Sequence, residues 1–454
     1  VITAPAYQDK KIGVFGLART GIAAAEALTA SGARVYAWDD AAAKRLPVQA
    51  VAEDLYALDF DTLDALLLAP GVPLTHPEPH MLVKKAQAAG VPLISDIDVF
   101  EAAREALPKH HTVAITGTNG KSTTTALIGH IIEACGRPAA VGGNIGTGVL
   151  ALSALKKGGV YIFELSSFQI DLTQHFNADV AVLLNVTPDH LDRHGTFENY
   201  LAAKTRLFEM QKGKAPVAVI GVDDEHGEDL AEKLSSDVVK VSVVTPLDQG
   251  VYVQEAILFD AMENEAIEVG DLRQAICLQG EHNWQNAAAA YAVCRKLGLK
   301  TKKIFKAMLS FPGLVHRQEI VTEIKGVRYV NDSKATNSDA ALRALKSFKN
   351  IHWVAGGRAK EKSFTHLASA VSDVKQAYFM GDAAEQLASD LGDKVRHKLY
   401  KTMLEALDAA AQNAVEGDVI LLSPACTAFD QFTDFEKRGE AFRAYAFAQQ
   451  GNAS

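Results

Sequence analysis

Cysteine is scarce and scattered in this 454-residue chain: Cys135, Cys277, Cys294 and Cys426 lie far apart. No pair has metal-ligand or redox spacing, so free thiols in a reducing cytoplasm are the expected state. No apolar run is long enough to span a bilayer, and the opening stretch VITAPAYQDK lacks a long apolar core. A cytoplasmic protein without membrane insertion is therefore expected. Basic charge is also in short supply, with 46 Lys plus Arg against 55 Asp plus Glu and a formal net charge of −9. Phosphate-dominated binding needs a basic face, so no nucleic-acid partner is expected, although a local basic pocket for a nucleotide stays open. Solenoid repeats and low-complexity tracts are missing as well.

Hydrophobic residues, by contrast, make up 48% of the chain, interspersed with charged ones as in a globular protein. The length suits about two to four domains. Residues 10–17 (KKIGVFGL) read as a short strand ending in glycine, 20–32 (TGIAAAEALTASG) as an alanine-rich helix, and ARVYAWDD as a second strand. LDALLLAPGVP adds a strand entering a Pro/Gly turn, and this strand–helix–strand alternation predicts a parallel sheet. A second unit opens with HTVAITGTNGKS and holds YIFELSSFQ, ADVAVLLNVTPDH and APVAVIGVDD as strands with polar ends. From about Val238 to Gly280, short alternating runs (VVKVSVV, GVYVQEAILF, EAIEVG) predict a small antiparallel accessory sheet. FPGLVHR, residues 311–317, is a natural hinge. Beyond it GVRYVND, IHWVAGG, QAYFMGD and DVILLSPA are four apolar runs separated by helical stretches, a third α/β unit.

The strict phosphate-loop pattern fails in VAITGTNGKSTTTALIGHII, because Ile115 stands where the first glycine belongs. Physically the loop needs inward backbone N–H groups, a helix N-terminus behind them and a lysine for the terminal phosphates. The strand TVAI, the turn TGTNG and the helix KSTTTALIGHII meet these needs, with Gly117 and Gly120 supplying the unusual dihedrals. Lys121 would neutralise the β/γ-phosphates and Ser122 would ligate Mg²⁺. The plainer reading is a Gly-rich strand–helix turn with an incidental lysine. Glu164 ends a strand where a carboxylate points across the sheet edge at a metal, and His190 ends the next apolar run as a candidate ligand. His194 and Asp192 are expected to support the loop. On composition alone, Lys204 is a solvated helix lysine.

ITGTNGKST, GGNIG, FELSSFQ, NVTPDHLDRHGTFENYLAAK, GEHNWQNAAAA, FPGLVHR, VNDSKATN and LLSPACTAFDQF follow one another over nearly the whole chain. In these motifs and their order the chain resembles the Mur ligases. SSFQ, SKATN and SPAC-x-x-x-D-Q-F are not generic nucleotide-site patterns. The resemblance implies an α/β protein of three domains: a Rossmann-like N-terminal one (1–103), a central phosphate-loop ATPase-type domain with the small accessory β-sheet (104–312), and a Rossmann-like C-terminal one (313–454). It implies an enzyme that uses ATP to join D-glutamate to UDP-N-acetylmuramoyl-L-alanine by an amide bond through an acyl phosphate, and a monomer is expected.

The same resemblance assigns roles. Gly117, Thr118, Asn119, Gly120, Lys121, Ser122 and Thr123 would hold the triphosphate, Asn283 and Asn286 adenine, Asp332 the ribose and Arg317 the γ-phosphate. Arg19, Thr20, Asp39, Asp40, Asn144 and His190 would meet the UDP-substrate. Lys334, Thr336, Lys360, Ala428 and Phe435 would clamp D-glutamate, whose two carboxylates make lysines sensible there. Ser122, Glu164 and His190 would serve two Mg²⁺ ions, and Lys204 would take up CO₂ as a carbamate ligand. Lys121, Glu164, His190, Lys204 and Arg317 form the expected catalytic set. Two departures bear on this. Ala428 replaces a family serine, leaving a backbone N–H or Thr427 to substitute, and Asp40-Ala41 stand where relatives carry Thr-Arg, which leaves the uracil contacts open.

Other readings are a ligase of the same kind with another acceptor, a nucleotide-gated switch, and an NAD-dependent oxidoreductase built on GVFGLARTG and Asp39. The last suffers from Ala18, which stands where the second glycine of G-x-G-x-x-G belongs. Glu164, His190 and SKATN argue for more than switching.

Overall fold

The computed structural model describes residues 1–41, 50–212, 215–263 and 265–453. β1 (Lys11–Phe15), β2 (Arg34–Trp38), β3 (Val51–Ala52), β4 (Ala65–Leu68) and β5 (Leu93–Ile94) form a parallel sheet in the order β3-β2-β1-β4-β5. The crossover helix Arg19–Ala30 buries Ala23, Ala24, Ala25, Ala27 and Leu28. Small side chains on that face let the helix lie close to the strands.

The second sheet contains β6 (His110–Thr116), β7 (Ala139–Gly143), β8 (Gly159–Glu164), β9 (Val180–Leu183), β10 (Val217–Gly221), β11 (Asp237–Ser242), β12 (Gly250–Gln254), β13 (Ile257–Ala261) and β14 (Ile267–Asp271), in the order β14-β13-β12-β11-β10-β9-β6-β8-β7. Every residue of β8 and β9 is buried, as expected of parallel strands covered on both faces. β6 lies between β8 and β9, so successive connections leave it on opposite sides. Crevices open at the carboxyl ends of strands at such a switch point.

The expected accessory sheet is corrected by this register. β12, β13 and β14 do pair antiparallel, but β11 pairs parallel with both β10 and β12. The antiparallel strands thus continue the central sheet. The reason is the edge of β11, whose backbone groups would otherwise lack partners.

The third sheet holds β15 (Glu319–Ile324), β16 (Val327–Asn331), β17 (Ile351–Gly356), β18 (Val374–Met380), β19 (His397–Tyr400) and β20 (Val419–Leu422), in the order β15-β16-β20-β17-β18-β19. The four apolar runs read from the sequence are β16, β17, β18 and β20. The two edges, antiparallel β15 and parallel β19, are additional. Their solvent-facing residues dilute the apolar signal.

The chain divides into two compact units, residues 1–275 with 281–311, and residues 276–280 with 312–454. Within the first unit the two sheets share one apolar core, in which Val14, Ala24 and Leu28 belong with Leu150, Phe163 and Leu183. Polar ties reinforce the join. Ser95 Oγ and Thr173 Oγ1 lie 3.0 Å apart, and Asp98 Oδ1 accepts from the backbone N–H groups of Gln174 and His175.

Candidate active site

β6 ends at Thr116, the chain turns through 117–120, and the helix Lys121–Ala134 begins. Gly120 is the N-cap residue at φ 83°, without a side-chain cap, a helix start suited to an anion. The turn is strapped from outside. Asn185 accepts from Thr118 N with its carbonyl and from Asn119 N with Oδ1, both at 2.9 Å. Thr118 Oγ1 donates to the Thr187 carbonyl (3.1 Å) and lies 3.0 Å from the Tyr200 hydroxyl. A Cβ at position 120 would stand 2.1 Å from Asn286 Oδ1. Gly120→Ala is therefore expected to destabilise the protein by about 2 kcal/mol, through left-handed strain and displacement of Asn286. An unchanged urea midpoint would remove that constraint.

Two lysines converge on this turn. Lys121 Nζ donates to the carbonyls of Gly117 (2.8 Å) and Thr118 (2.9 Å), and Lys204 Nζ donates to the Gly117 carbonyl at 2.9 Å. Lys204 is 1% exposed on the helix Phe197–Glu209 and lies 4.5 Å from the centre of the Tyr200 ring. Burial, with a smaller contribution from the Lys121 charge, pushes its ammonium down to about 6. The solvated lysine expected from composition is thus a buried amine, and only packing reveals it.

Glu164 ends β8 and is 2% exposed. Its Oε1 accepts from Asn144 Nδ2 at 2.8 Å, whereas Oε2 is buried without a hydrogen-bond partner. An orphaned carboxylate oxygen beside a phosphate loop fits a cation. Among the described residues no cluster of three or more His, Cys, Asp or Glu is arranged to hold a metal. This suits Mg²⁺, which takes one or two carboxylates and completes its shell with phosphate oxygens and water. Ser122, expected from the sequence to serve the same ion, is buried in the first turn of the helix.

His190 is exposed, at φ 51°, and its Nε2 lies 3.5 Å from Asp189. Its ring centre is 4.9 Å from that of Phe168. His194 is buried, with Nε2 2.9 Å from Ser167 Oγ, and burial lowers its pKa. Asn286 bridges two helices, Oδ1 accepting from Thr124 Oγ1 and Nδ2 donating to Asn283 Oδ1. Through these bonds Asn286 braces the loop helix.

At the end of the first sheet, Asp39 Oδ2 accepts from Leu17 N (2.7 Å) and Oδ1 from Ala41 N (2.8 Å). Its carboxylate thereby shapes the turn after β1. Asp40 accepts from the Tyr56 hydroxyl at 3.0 Å. The helix beginning at Arg19 and Thr20 has no side-chain cap at Ala18, again suiting an anion.

In the second unit, Asp332 is buried and accepts from Ser423 Oγ (2.8 Å) and Gln318 N (3.2 Å). Burial outweighs those bonds and the Arg317 charge, raising its pKa to about 7. Lys334 Nζ lies 3.8 Å from the centre of the Phe435 ring, placing two expected D-glutamate residues together. Thr336 N donates to the Lys334 carbonyl, while Lys360 is exposed. Ala428 is buried, and the Thr427 hydroxyl donates to the Arg358 carbonyl at 2.9 Å. Sequence reasoning missed Asn185 and Tyr200. The signals were present: Asn185 opens the NVTPDH motif, and Tyr200 lies one helical turn before Lys204.

A phosphate loop, a carboxylate on the neighbouring strand end and a buried lysine define a nucleotide-dependent enzyme, and comparison with known proteins resolves its class. Residues 115–294 match the Mur ligase middle domain, and residues 316–426 match the Mur ligase, glutamate ligase domain. The chain belongs to the Mur ligase family. Among its relatives, the UDP-N-acetylmuramoylalanine–D-glutamate ligase of Caulobacter vibrioides is 46% identical over 96% of each chain. The ligase of that name from Paramagnetospirillum magneticum is 43% identical over 100% of each. The UDP-N-acetylmuramate-alanine ligase of Thermotoga maritima shares the fold, with a TM-score of 0.60 at 18% identity over 97% of this chain and 100% of that one.

Proposed function

We propose that this chain joins D-glutamate to UDP-N-acetylmuramoyl-L-alanine in an ATP-driven amide synthesis, acting as a cytoplasmic monomer with domains at 1–103, 104–312 and 313–454. One observation carries the reading. Lys121, Glu164 and Lys204 gather at the carboxyl ends of the parallel strands β6 and β8, in a chain alike over nearly its full length to D-glutamate ligases.

The alanyl carboxylate attacks the γ-phosphorus of ATP, forming an acyl phosphate as ADP leaves. The amine of D-glutamate then attacks the carbonyl carbon, loses a proton, and phosphate departs from the tetrahedral intermediate. A free carboxylate is a poor acyl donor, so phosphorylation supplies the leaving group. Bringing anions together requires neutralising charge, the role this reading gives to Lys121 and Arg317. As a Mur ligase the protein uses ATP and Mg²⁺. Ser122, Glu164 and His190 would hold the metal, as two ions, and bound Mg²⁺ supplies positive charge to the phosphate oxygens. Asn144 orients Glu164 by its hydrogen bond.

The remaining assignments follow the same reading. Residues 117–123 would take the triphosphate, Asn283 and Asn286 would meet adenine, and Asp332 the ribose. Arg19, Thr20, Asp39, Asp40 and His190 serve the UDP-substrate, while Lys334, Thr336, Lys360, Ala428 and Phe435 serve D-glutamate. Lys204, a neutral amine above pH about 6, is a nucleophile for CO₂. Its nitrogen bonds the carbon and releases a proton, and the carbamate anion so formed would complete the metal site.

Purified protein is expected to release phosphate from ATP only when both UDP-N-acetylmuramoyl-L-alanine and D-glutamate are present. Mass spectrometry would find a product heavier by one glutamyl residue. Phosphate release with neither substrate, or equal turnover with other amino acids, would overturn the assignment.

A further inference from the structure

Arg193 is 7% exposed, yet its guanidinium makes one hydrogen bond, from Nη2 to the Val72 carbonyl at 2.9 Å. Nε and Nη1 are buried without hydrogen-bond partners, and the guanidinium carbon lies 5.5 Å from the centre of the Phe168 ring. Burying a cation with donors unsatisfied is unfavourable, so fold stability alone is a poor account of this side chain.

Its position supplies another account. Val72 lies in the turn that leaves β4 of the first sheet. Arg193 lies in the four-residue helix Leu191–His194, which begins immediately after His190. The Phe168 ring beneath the guanidinium also packs against His190 and stacks on His194, with centres 4.9 and 5.4 Å away. A second contact joins the same two segments at Gly195, where a Cβ would stand 3.2 Å from His76 Nδ1. One side chain therefore ties the carboxyl edge of the first sheet to the loop presenting His190.

We infer that Arg193 is a positioning residue coupling the two ends of the substrate. By clamping the turn beyond β4 to the His190 loop, it holds the nucleotide end and the reacting carboxylate at a fixed spacing, so that binding at the first sheet assists chemistry at the second. Remote binding energy raises the rate only when the two sites are held in register. The inference rests on the D-glutamate ligase reading, and the test separates the two.

The probe is N-acetylmuramoyl-L-alanine 1-phosphate, which lacks the uridine end, assayed by phosphate release beside the full substrate. Wild type is expected to show a large penalty for truncation in kcat/KM. Arg193→Ala should lower kcat/KM for the full substrate about tenfold and for the truncated one less than about threefold, shrinking the penalty. Arg193→Lys, which keeps a cationic donor on this side chain, should restore part of it. Mg·ATP affinity by calorimetry should stay within about twofold, reporting an intact phosphate loop. Equal loss on both substrates, unchanged activity, or no truncation penalty in wild type would overturn the inference. Failure of the wild type to need both full substrates would instead overturn the functional reading. Should Arg193→Ala not fold, Arg193→Met, which keeps the apolar stem and removes the donor to Val72, carries the same comparison.

Discussion

Lys121→Ala is expected to lower phosphate release by about a thousandfold while leaving the far-ultraviolet dichroism and the unfolding midpoint close to wild type. The loss is expected to be large because the Lys121 ammonium lies on the loop turn, where the proposed transfer would build up negative charge. Lys204 points to the same carbonyl but is the neutral amine of the pair. The fold should survive because the loop is strapped by Asn185, Thr187 and Tyr200 through Thr118 and Asn119, contacts that leave Lys121 aside. Removing the Lys121 charge also makes protonation of Lys204 less costly, so the Lys204 amine should titrate higher in the variant. Retained turnover, or unfolding in parallel with the loss, would take Lys121 out of the mechanism.

The second large effect is expected at Lys204. Enzyme held in CO₂-free buffer should lose most of its activity and regain it on adding bicarbonate, while ¹³C-enriched bicarbonate should yield one carbamate resonance absent from Lys204→Ala. The sign with pH follows from the free amine, whose ordinary value of 10.5 is pushed down to about 6. Below about pH 6 the amine is protonated and cannot bond CO₂, so bicarbonate rescue should fade through that value. Stability of the CO₂-free protein follows the same shift. Between about 6 and 10.5 the unfolded chain binds the proton that the folded chain excludes, so stability should rise with pH there, with the full penalty present below 6. Activity indifferent to CO₂ and no carbamate resonance would refute the modification.

The two effects together show how much of the site was open to reading along the chain. The turn TGTNG between an apolar strand and a helix demands a phosphate loop whether or not Ile115 is glycine, since the requirement is for left-handed positions and a helix start. Gly117 and Gly120 adopt positive φ as that reading needs. Glu164 was legible because it ends the apolar run that forms β8, whereas His190 stands beyond β9, in the loop before the helix Leu191–His194. The antiparallel run after Val238 was legible as strands but not as a continuation of the central sheet. Which edge a strand joins depends on backbone groups left open by another part of the chain.

Local order along the chain was enough to specify the α/β class, the phosphate loop and the motif series of a Mur ligase, because periodicity, turn chemistry and motif spacing act over a few residues. Packing alone decided that Lys204 is a buried amine, that Glu164 keeps one oxygen unpaired, that Asn286 braces the loop helix, and that Arg193 reaches Val72 across 121 positions. Desolvation and hydrogen-bond partners arise from segments distant in sequence, and they set what an ionisable group can do.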